Sequence, residues 1–328
     1  MKAVLEAAHF HNEEAAFKYV EALIWPAGPV CPHCGETGRV GVLAGATTRF
    51  GLKKCYACRK PFTVRVGTVF EHSHAPLRKW LQAIHLIASS KKGISSNQLS
   101  RTLGVTLRTA WHMSHRIREA MAAGGLVAFG AGGGAVEADE MFTGNNPERP
   151  PEDGKRVNTS NKNIVLTVVD RDTGQAKSEL MDSLTGPEVT VTLTKTVSRE
   201  AHLMTDKAQH YLPHSWSVAT HESVNHGAGE YARGDVSVNL VEGYFSVFKR
   251  GMTGVYQHCS RRHLPRYLAE FDFRHNYRVA LGVNDVERAD RIVAGALGKT
   301  LRYKRLVGDR PKTKEVVIPG TWDDWKTV

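Results

Sequence analysis

The chain has no apolar run that approaches the roughly 18 residues of a membrane span without a glycine interrupting it. Its N-terminus, MKAVLEAAHFHNEEAAF, lacks the apolar segment of a secretory signal and carries acids early. A cytosolic protein with no membrane partner is therefore expected. Acidic residues are outnumbered: 33 Asp and Glu face 44 Lys and Arg, leaving a formal net charge of +11. A surplus of that size points to phosphate backbones or acidic surfaces as partners, the bland alternative being a generally solubilising charge. Cysteine is scarce, five in 328 residues, yet four of the five fall in two pairs.

Those pairs are CPHC (Cys31, Cys34) and CYAC (Cys55, Cys58), separated by residues 35–54. In a reducing compartment, two C-x-x-C turns at this spacing suit one structural, tetrahedral Zn²⁺, each turn supplying two thiolates. The alternative is a pair of accidental or redox-active dithiols. Cys259 stands alone and reads as a packed thiol, and His33 as a surface residue rather than a ligand.

Apolar spacing predicts a helix over residues 1–25, then the cysteine segment, a β-rich stretch PFTVRVGTVF, and a helix in PLRKWLQAIHLIASS. Residues 92–121 have helix-turn-helix character, with a break at Gly104 and a second helix expected to be basic on its outside through Arg108, His112, His115, Arg116 and Arg118. A recognition helix in the major groove, contacting DNA through Arg108, Thr109, His112 and Arg116, is the functional reading, and an ordinary helical hairpin the bland one. The glycines of AAGGLVAFGAGGG predict a flexible linker. No lysine or helix start follows them, which excludes a phosphate-cradling loop.

Beyond the linker the pattern becomes mixed α/β. AVEADEMF, NIVLTVVD, QAKSELM, AHLMTD and SWSVATH read as strands, TGPEVTVTLTKTV as a helix, and two more helices follow from about Val238 and in RRHLPRYLAEFDFRHNYR. The resulting division is an N-terminal helix with a four-cysteine zinc ribbon (1–75), a helix-turn-helix region (76–122), a linker (123–134), an α/β domain (135–280) and a basic tail (281–328) with a candidate strand in KTLRYKRL. A long polar excursion occupies 143–162, as a DNA clamp or a loop.

Two aspartates, Asp139 and Asp206, lie where strands give out. In the helix NLVEGYFSVFKRG, Val241, Tyr244, Phe245 and Phe248 form the buried stripe, and Asn239, Glu242, Ser246 and Lys249 a polar stripe beside it. Glu242 and Lys249 lie two turns, about 10 Å, apart. Glu242 set against both aspartates would make a carboxylate cluster that demands cations, and two Mg²⁺ (or Mn²⁺) ions about 3.5–4 Å apart would satisfy it. Glu137 shares the strand face of Asp139 and could assist, Glu140 is expected to point away, and His226 reads as a structural or solvent-facing loop residue. Taken singly, each carboxylate reads more simply as a solvated surface group.

The motifs CPHCG, CYACRKPFTVRVGTVF, LRKW, VEADE, LMTD, the GD at 234–235 and NLVEGYFSVFKRGMTGVYQHCSRRHLPRYLAEFDFRHNYR resemble those of bacterial insertion-sequence transposases of the DDE type, in the ISXO-like group with an N-terminal zinc ribbon. The resemblance spans roughly residues 15–280. It implies a multidomain protein, a zinc ribbon plus helix-turn-helix followed by an RNase H-like α/β catalytic core with a mixed sheet. It implies an enzyme that cuts and rejoins DNA at an element's terminal inverted repeats by metal-assisted phosphoryl transfer, in the cytoplasm with the nucleoid.

Carried over residue by residue, Asp139 and Asp206 are the first two Mg²⁺ ligands, Glu242 the third and Lys249 the associated lysine, with Asn239 one turn earlier as the alternative third residue. Arg250, Arg261, Arg262 and Arg266 would join Lys249 in holding backbone phosphates, and Tyr256 and Tyr267 would pack rather than attack. Pairing two element ends with target DNA implies a homodimer or higher assembly. The rival readings are a decayed or co-opted DNA-binding regulator and a nuclease without strand transfer.

Overall fold

A computed structural model describes residues 3–122, 128–146, 148 and 161–301. Two compact units divide the chain: the first comprises residues 1–122 with the chain from Asn284 onward, and the second residues 123–283.

In the first unit, helix α1 (Glu13–Ile24) starts where the Asn12 side chain accepts the Ala15 amide, and two isolated 3₁₀ turns precede it rather than a helix from residue 1. Strands β1 (Val40–Val42), β2 (Lys53–Cys55) and β3 (Pro61–Phe62) form a small antiparallel sheet. The β-rich expectation for PFTVRVGTVF is met at Pro61–Phe62 and at an isolated bridge from Thr68 to Leu297. Between them the chain turns, and Val64, Val69 and Phe70 are buried.

Helix α2 (Leu77–Ser89) buries Leu77, Trp80, Leu81, Ile84 and Ile87. It lacks a cap of its own, and the Glu13 carboxylate accepts its Leu77 and Arg78 amides at 2.6 and 3.1 Å. Helix α3 (Ser96–Leu103) ends at Gly104, whose φ of +60° suits glycine, and α4 (Leu107–Met121) begins at once, capped by the Thr106 hydroxyl.

The second unit is built on a five-stranded sheet of β4 (Ala135–Thr143), β5 (Asn163–Asp170), β6 (Ala176–Met181), β7 (His202–Asp206) and β8 (Thr220–Val224), in the order β6-β5-β4-β7-β8. The first three form an antiparallel meander, and β7 and β8 run parallel to β4. Counted within the unit, the order is 3-2-1-4-5 with only the second strand reversed, the arrangement of the RNase H-like fold. Between β6 and β7 lies α5 (Gly186–Thr194), a helix despite its β-branched residues, with proline in its first turn and Val189 and Leu193 buried. The strand expected from Ser215 begins only at Thr220, after a 3₁₀ segment over Gln209–Ser217.

A short hairpin of β9 (Ala232–Arg233) and β10 (Val236–Ser237) leads into α6 (Asn239–Gly251), and α7 (Leu264–Asn276) follows. Alternation along the strands splits the core. Val136, Ala138, Ile164, Leu166 and Val168 pack with Val189 and Leu193 of α5 on one face. Met141, Val165, Val169 and Met204 pack with Val241, Phe245, Phe248, Leu268 and Phe271 of α6 and α7 on the other.

Two boundaries differ from those expected. The linker read over 123–134 is structured from residue 128. Phe129 exchanges backbone hydrogen bonds with Thr196 and Ser198, and Gly130 donates to Asp170. A Cβ on Gly130 would lie 2.5 Å from that of Ala201, at a φ of +72°, so its glycine serves close packing rather than flexibility. Residues 123–127 lie outside the described chain, as does nearly all of the 143–162 excursion.

Nor is 281–328 simply a tail. Helix α8 (Asp285–Ala294) returns to the first unit, where Arg288 donates to the Ala88 carbonyl and the Val69 amide to Ala296. The candidate strand in KTLRYKRL lies outside the described residues from 302 onward. Among the described residues no helix is long and apolar enough to cross a membrane.

Candidate active site

β4 and β7 are paired only as far as Glu137 and Met204. Past that point the two parallel strands lose their ladder, leaving a crevice at their C-terminal ends, and Asp139 and Asp206 stand in it. Carboxylate oxygens of Asp139, Glu140 and Asp206 all come within 4.8 Å of one another. The inclusion of Glu140 corrects the expectation that it points away. Strand alternation does start its side chain on the α5 face, with Val136 and Ala138. β5 still pairs with β4 there, but β7 does not, so the side chain turns to the edge left open on the β7 side. The His210 ring (3.1 Å) and the Tyr211 hydroxyl (2.7 Å) hold its carboxylate. Both follow Asp206 closely in sequence, and the adjacent Asp-Glu pair was the only local hint of the third carboxylate.

The cluster carries more negative charge than its surroundings balance. Burial, then the neighbouring Glu140 and Asp206, push the Asp139 carboxyl up to about 8. Burial and Glu140 also raise Asp206, against the opposing pull of His210 and His226. Burial would raise Glu140 as well, but the hydrogen bonds from His210 and Tyr211 outweigh it and hold that group below its ordinary value. Asp206 Oδ1 is buried with no hydrogen-bond partner. Clustered hard oxygen donors, one of them orphaned, fit a divalent cation such as Mg²⁺ or Mn²⁺.

The polar stripe of α6 is where the sequence puts it: Val241, Tyr244, Phe245 and Phe248 are buried, while Asn239, Glu242, Ser246 and Lys249 are exposed. Glu242 adds to the field that raises Asp139, yet its carboxylate stays outside the three-carboxylate cluster. It is about half exposed and lies 3.7 Å from His226 Nδ1. His226 thus faces the site rather than bulk solvent. Glu137, on the strand face of Asp139, is fully buried with both oxygens engaged by N–H donors, which excludes the direct assisting role considered for it.

In the first unit, Cys31, Cys34, Cys55 and Cys58 converge, and Cys259 takes no part. The Sγ atoms of Cys31 and Cys58 are 3.7 Å apart and those of Cys34 and Cys55 3.6 Å. A tetrahedron with Zn–S bonds of about 2.3 Å has edges of about 3.8 Å, so the four thiols fit one zinc ion. Hydrogen bonds from the Cys58 and Ala57 amides already draw the Cys55 thiol down to about 7, favouring the ligating thiolate.

The DNA-contact residues expected from sequence are only partly available. Arg108 is exposed at the start of α4 and Thr109 closes its N-terminal turn. His112 is half-buried, and burial lowers its ring. Arg116 is buried, its guanidinium donating to the carbonyls of Val69, Glu71 and Leu301, and His115 and Arg118 are buried too. The basic outer face expected for α4 is therefore confined to its first turns, because the chain folding back after α8 covers the rest. Arg116→Ala should lower stability by about 2–4 kcal/mol in urea denaturation, since it orphans the buried Val69 carbonyl and the half-buried carbonyls of Glu71 and Leu301. A DNA-affinity loss at unchanged stability would contradict that placement. On the second unit, Arg250 and Arg262 are exposed, whereas Arg261 is tied to Asp182, Glu148 and Asn163 and is not a free phosphate contact.

An RNase H-like sheet with an acidic centre at the splayed ends of its first and fourth strands defines the class of protein. Residues 132–276 match the ISXO2-like transposase domain and residues 11–61 the transposase zinc-ribbon domain. The two matched segments are those of an insertion-sequence transposase of the ISXO2-like family. The chain is 27% identical over 277 residues to an uncharacterised protein in the transposable element ISH50 of Halobacterium salinarum, across 81% of this chain and 91% of that one. Among solved structures it overlaps the catalytic core domain of BIV integrase (14% identity, 42% of this chain and 82% of that one, TM-score 0.28). It also overlaps a chain of a simian T-cell lymphotropic virus intasome complex with the PP2A regulatory subunit B56 gamma (14%, 53% and 63%, TM-score 0.30).

Proposed function

We propose that the protein binds the terminal inverted repeats of its insertion sequence, cleaves the DNA there and joins the freed 3′ ends to target DNA. The observation that carries this reading is the convergence of Asp139, Glu140 and Asp206 where two parallel strands part, within the segment that matches the transposase family. Asp139 and Asp206 would hold two Mg²⁺ or Mn²⁺ ions, with Glu242 as the third ligand across the crevice and Asn239 one helical turn back as the alternative. Ions bound there supply Lewis-acid stabilisation of charge on the phosphate being transferred.

Around them the chain's own groups orient the DNA. Lys249, Arg250 and Arg262 are exposed near or beyond Glu242 and would bind backbone phosphates, as would Arg108 and Thr109, with His112 beside them, in the helix-turn-helix region. His210 and Tyr211 keep Glu140 ionised and fixed. Two element ends and a target require at least two protomers, and the work belongs with the nucleoid in the cytoplasm.

The test is cleavage and joining on duplexes that carry the element's own ends, with and without Mg²⁺ or Mn²⁺. Metal-dependent nicking followed by joined product is expected. Cleavage without joining would leave a nuclease. Zinc-loaded protein that binds the ends and never cuts them would replace the transposase reading with that of a DNA-binding regulator.

A further inference from the structure

α6 carries Glu242 and Asn239 but has no cap of its own: the residue before it, Val238, makes no side-chain capping bond. Its first amides still need acceptors. They find one on β4. Glu137 Oε2 accepts from the Leu240 amide at 2.7 Å and the Val241 amide at 3.2 Å. Its other oxygen receives Arg171 Nε and Nη2, each at 2.7 Å. The same guanidinium continues to the Asp235 carbonyl (2.5 Å) and the Ser237 hydroxyl (2.6 Å), on the segment that enters α6. Glu137 is fully buried, and an ionised carboxylate is costly to bury unless its partners are good. Here they are a guanidinium, two amides and the positive end of a helix dipole.

Two residues from Glu137 along the same strand face is Asp139, and one residue past the Val241 amide is Glu242. We infer that Glu137 and Arg171 form a clamp that fixes the register of α6 on β4, making Glu137 a positioning residue that sets Glu242 against Asp139 and Asp206. The inference rests on the proposed reading of those carboxylates as a metal centre. Glu13 caps α2 in the same way with no carboxylate cluster beside it, so the test must separate positioning from structural support alone.

Glu137→Gln keeps the shape but gives up one acceptor, so it cannot serve both α6 and Arg171. Arg171→Lys removes the planar fork while leaving the carboxylate, and it guards against a folding failure of the first variant. On the full, zinc-loaded chain, two measurements need no DNA: hydrogen exchange across 239–245 against 163–170 of β5, and Mn²⁺ half-saturation followed by electron paramagnetic resonance. Both variants should exchange roughly 10-fold faster at the start of α6 with β5 unchanged, and bind Mn²⁺ roughly 10-fold more weakly. Where the wild type cleaves DNA, kcat should fall about 100-fold at constant DNA KM.

Unchanged exchange in α6 overturns the clamp. Faster exchange throughout the sheet with unaltered Mn²⁺ binding makes Glu137 structural only and also overturns it. A wild type that binds Mn²⁺ but never cuts DNA overturns the transposase reading alone, since exchange and Mn²⁺ affinity still decide the clamp. A wild type that binds no Mn²⁺ overturns the metal centre and the positioning role together.

Discussion

Asp206→Ala should lower metal-dependent strand cleavage by at least about 10³-fold, roughly 4 kcal/mol of transition-state stabilisation. The loss should appear in kcat, with affinity for the element's ends retained, because Asp206 lies in the crevice and the phosphate contacts proposed above lie elsewhere. Asp139→Asn should behave alike. Neither should unfold the protein. In the metal-free state Asp206→Ala relieves like-charge repulsion among the half-buried carboxylates, and Asp139→Asn replaces a carboxyl already held largely protonated, so the melting temperature without metal should equal or exceed that of the wild type.

This combination, dead catalysis in an equally stable protein, separates a metal centre from a structural acidic cluster. Cleavage that survived Asp206→Ala would sink the proposed site. Run in parallel, Glu242→Gln and Asn239→Ala decide the third ligand, since only the true one should approach the loss seen for Asp206. Glu140→Gln tests the carboxylate that strand alternation concealed. A loss there as large as that of Asp206→Ala would make Glu140 a ligand, and a loss of tenfold or so would make it a neighbour that tunes the two aspartates.

Removing zinc should have the second largest effect, on structure rather than chemistry. The strands of the ribbon are only three, three and two residues long, and such a sheet buries too little to hold itself. A structural zinc site typically contributes about 10–16 kcal/mol of apparent binding energy at neutral pH, which then becomes folding energy. The purified protein should contain one zinc per chain. Cys55→Ser or a strong chelator should release it and open residues 31–58 to proteolysis. The second unit, with its own two-faced core, should keep its melting transition. Full metal content and an intact ribbon in Cys55→Ser would contradict the four-thiol site.

Local patterns carried much of the fold because their physics is local. The two C-x-x-C turns each set two thiolates at ligating distance whatever surrounds them. The 3.6-residue period of α6 separated Val241, Tyr244, Phe245 and Phe248 from Asn239, Glu242, Ser246 and Lys249 without reference to any neighbour. Alternating strands gave the mixed α/β order, and proline at its start favoured a helix for 186–194 over the strand its β-branched residues suggested.

The misreadings share one cause: each depended on what packs where from far along the chain. Glycines at 130–134 look like a hinge until Ala201 and Val136 are seen against Gly130. Arg116 and Arg118 look like a basic DNA face until the chain after α8 covers α4. Arg261 looks free until Asp182 and Glu148 reach it.

By itself, then, the sequence determined the thiol site, the amphipathic helix and the two strand-borne aspartates, since covalent spacing and helical or strand periodicity settle these within a few residues. Tertiary structure alone decided which acids meet. Glu140 joins the cluster because the β4–β7 ladder stops at Glu137 and leaves an open edge. Glu137 leaves it because an uncapped helix, contributed from about a hundred residues away, engages its carboxylate through two amides.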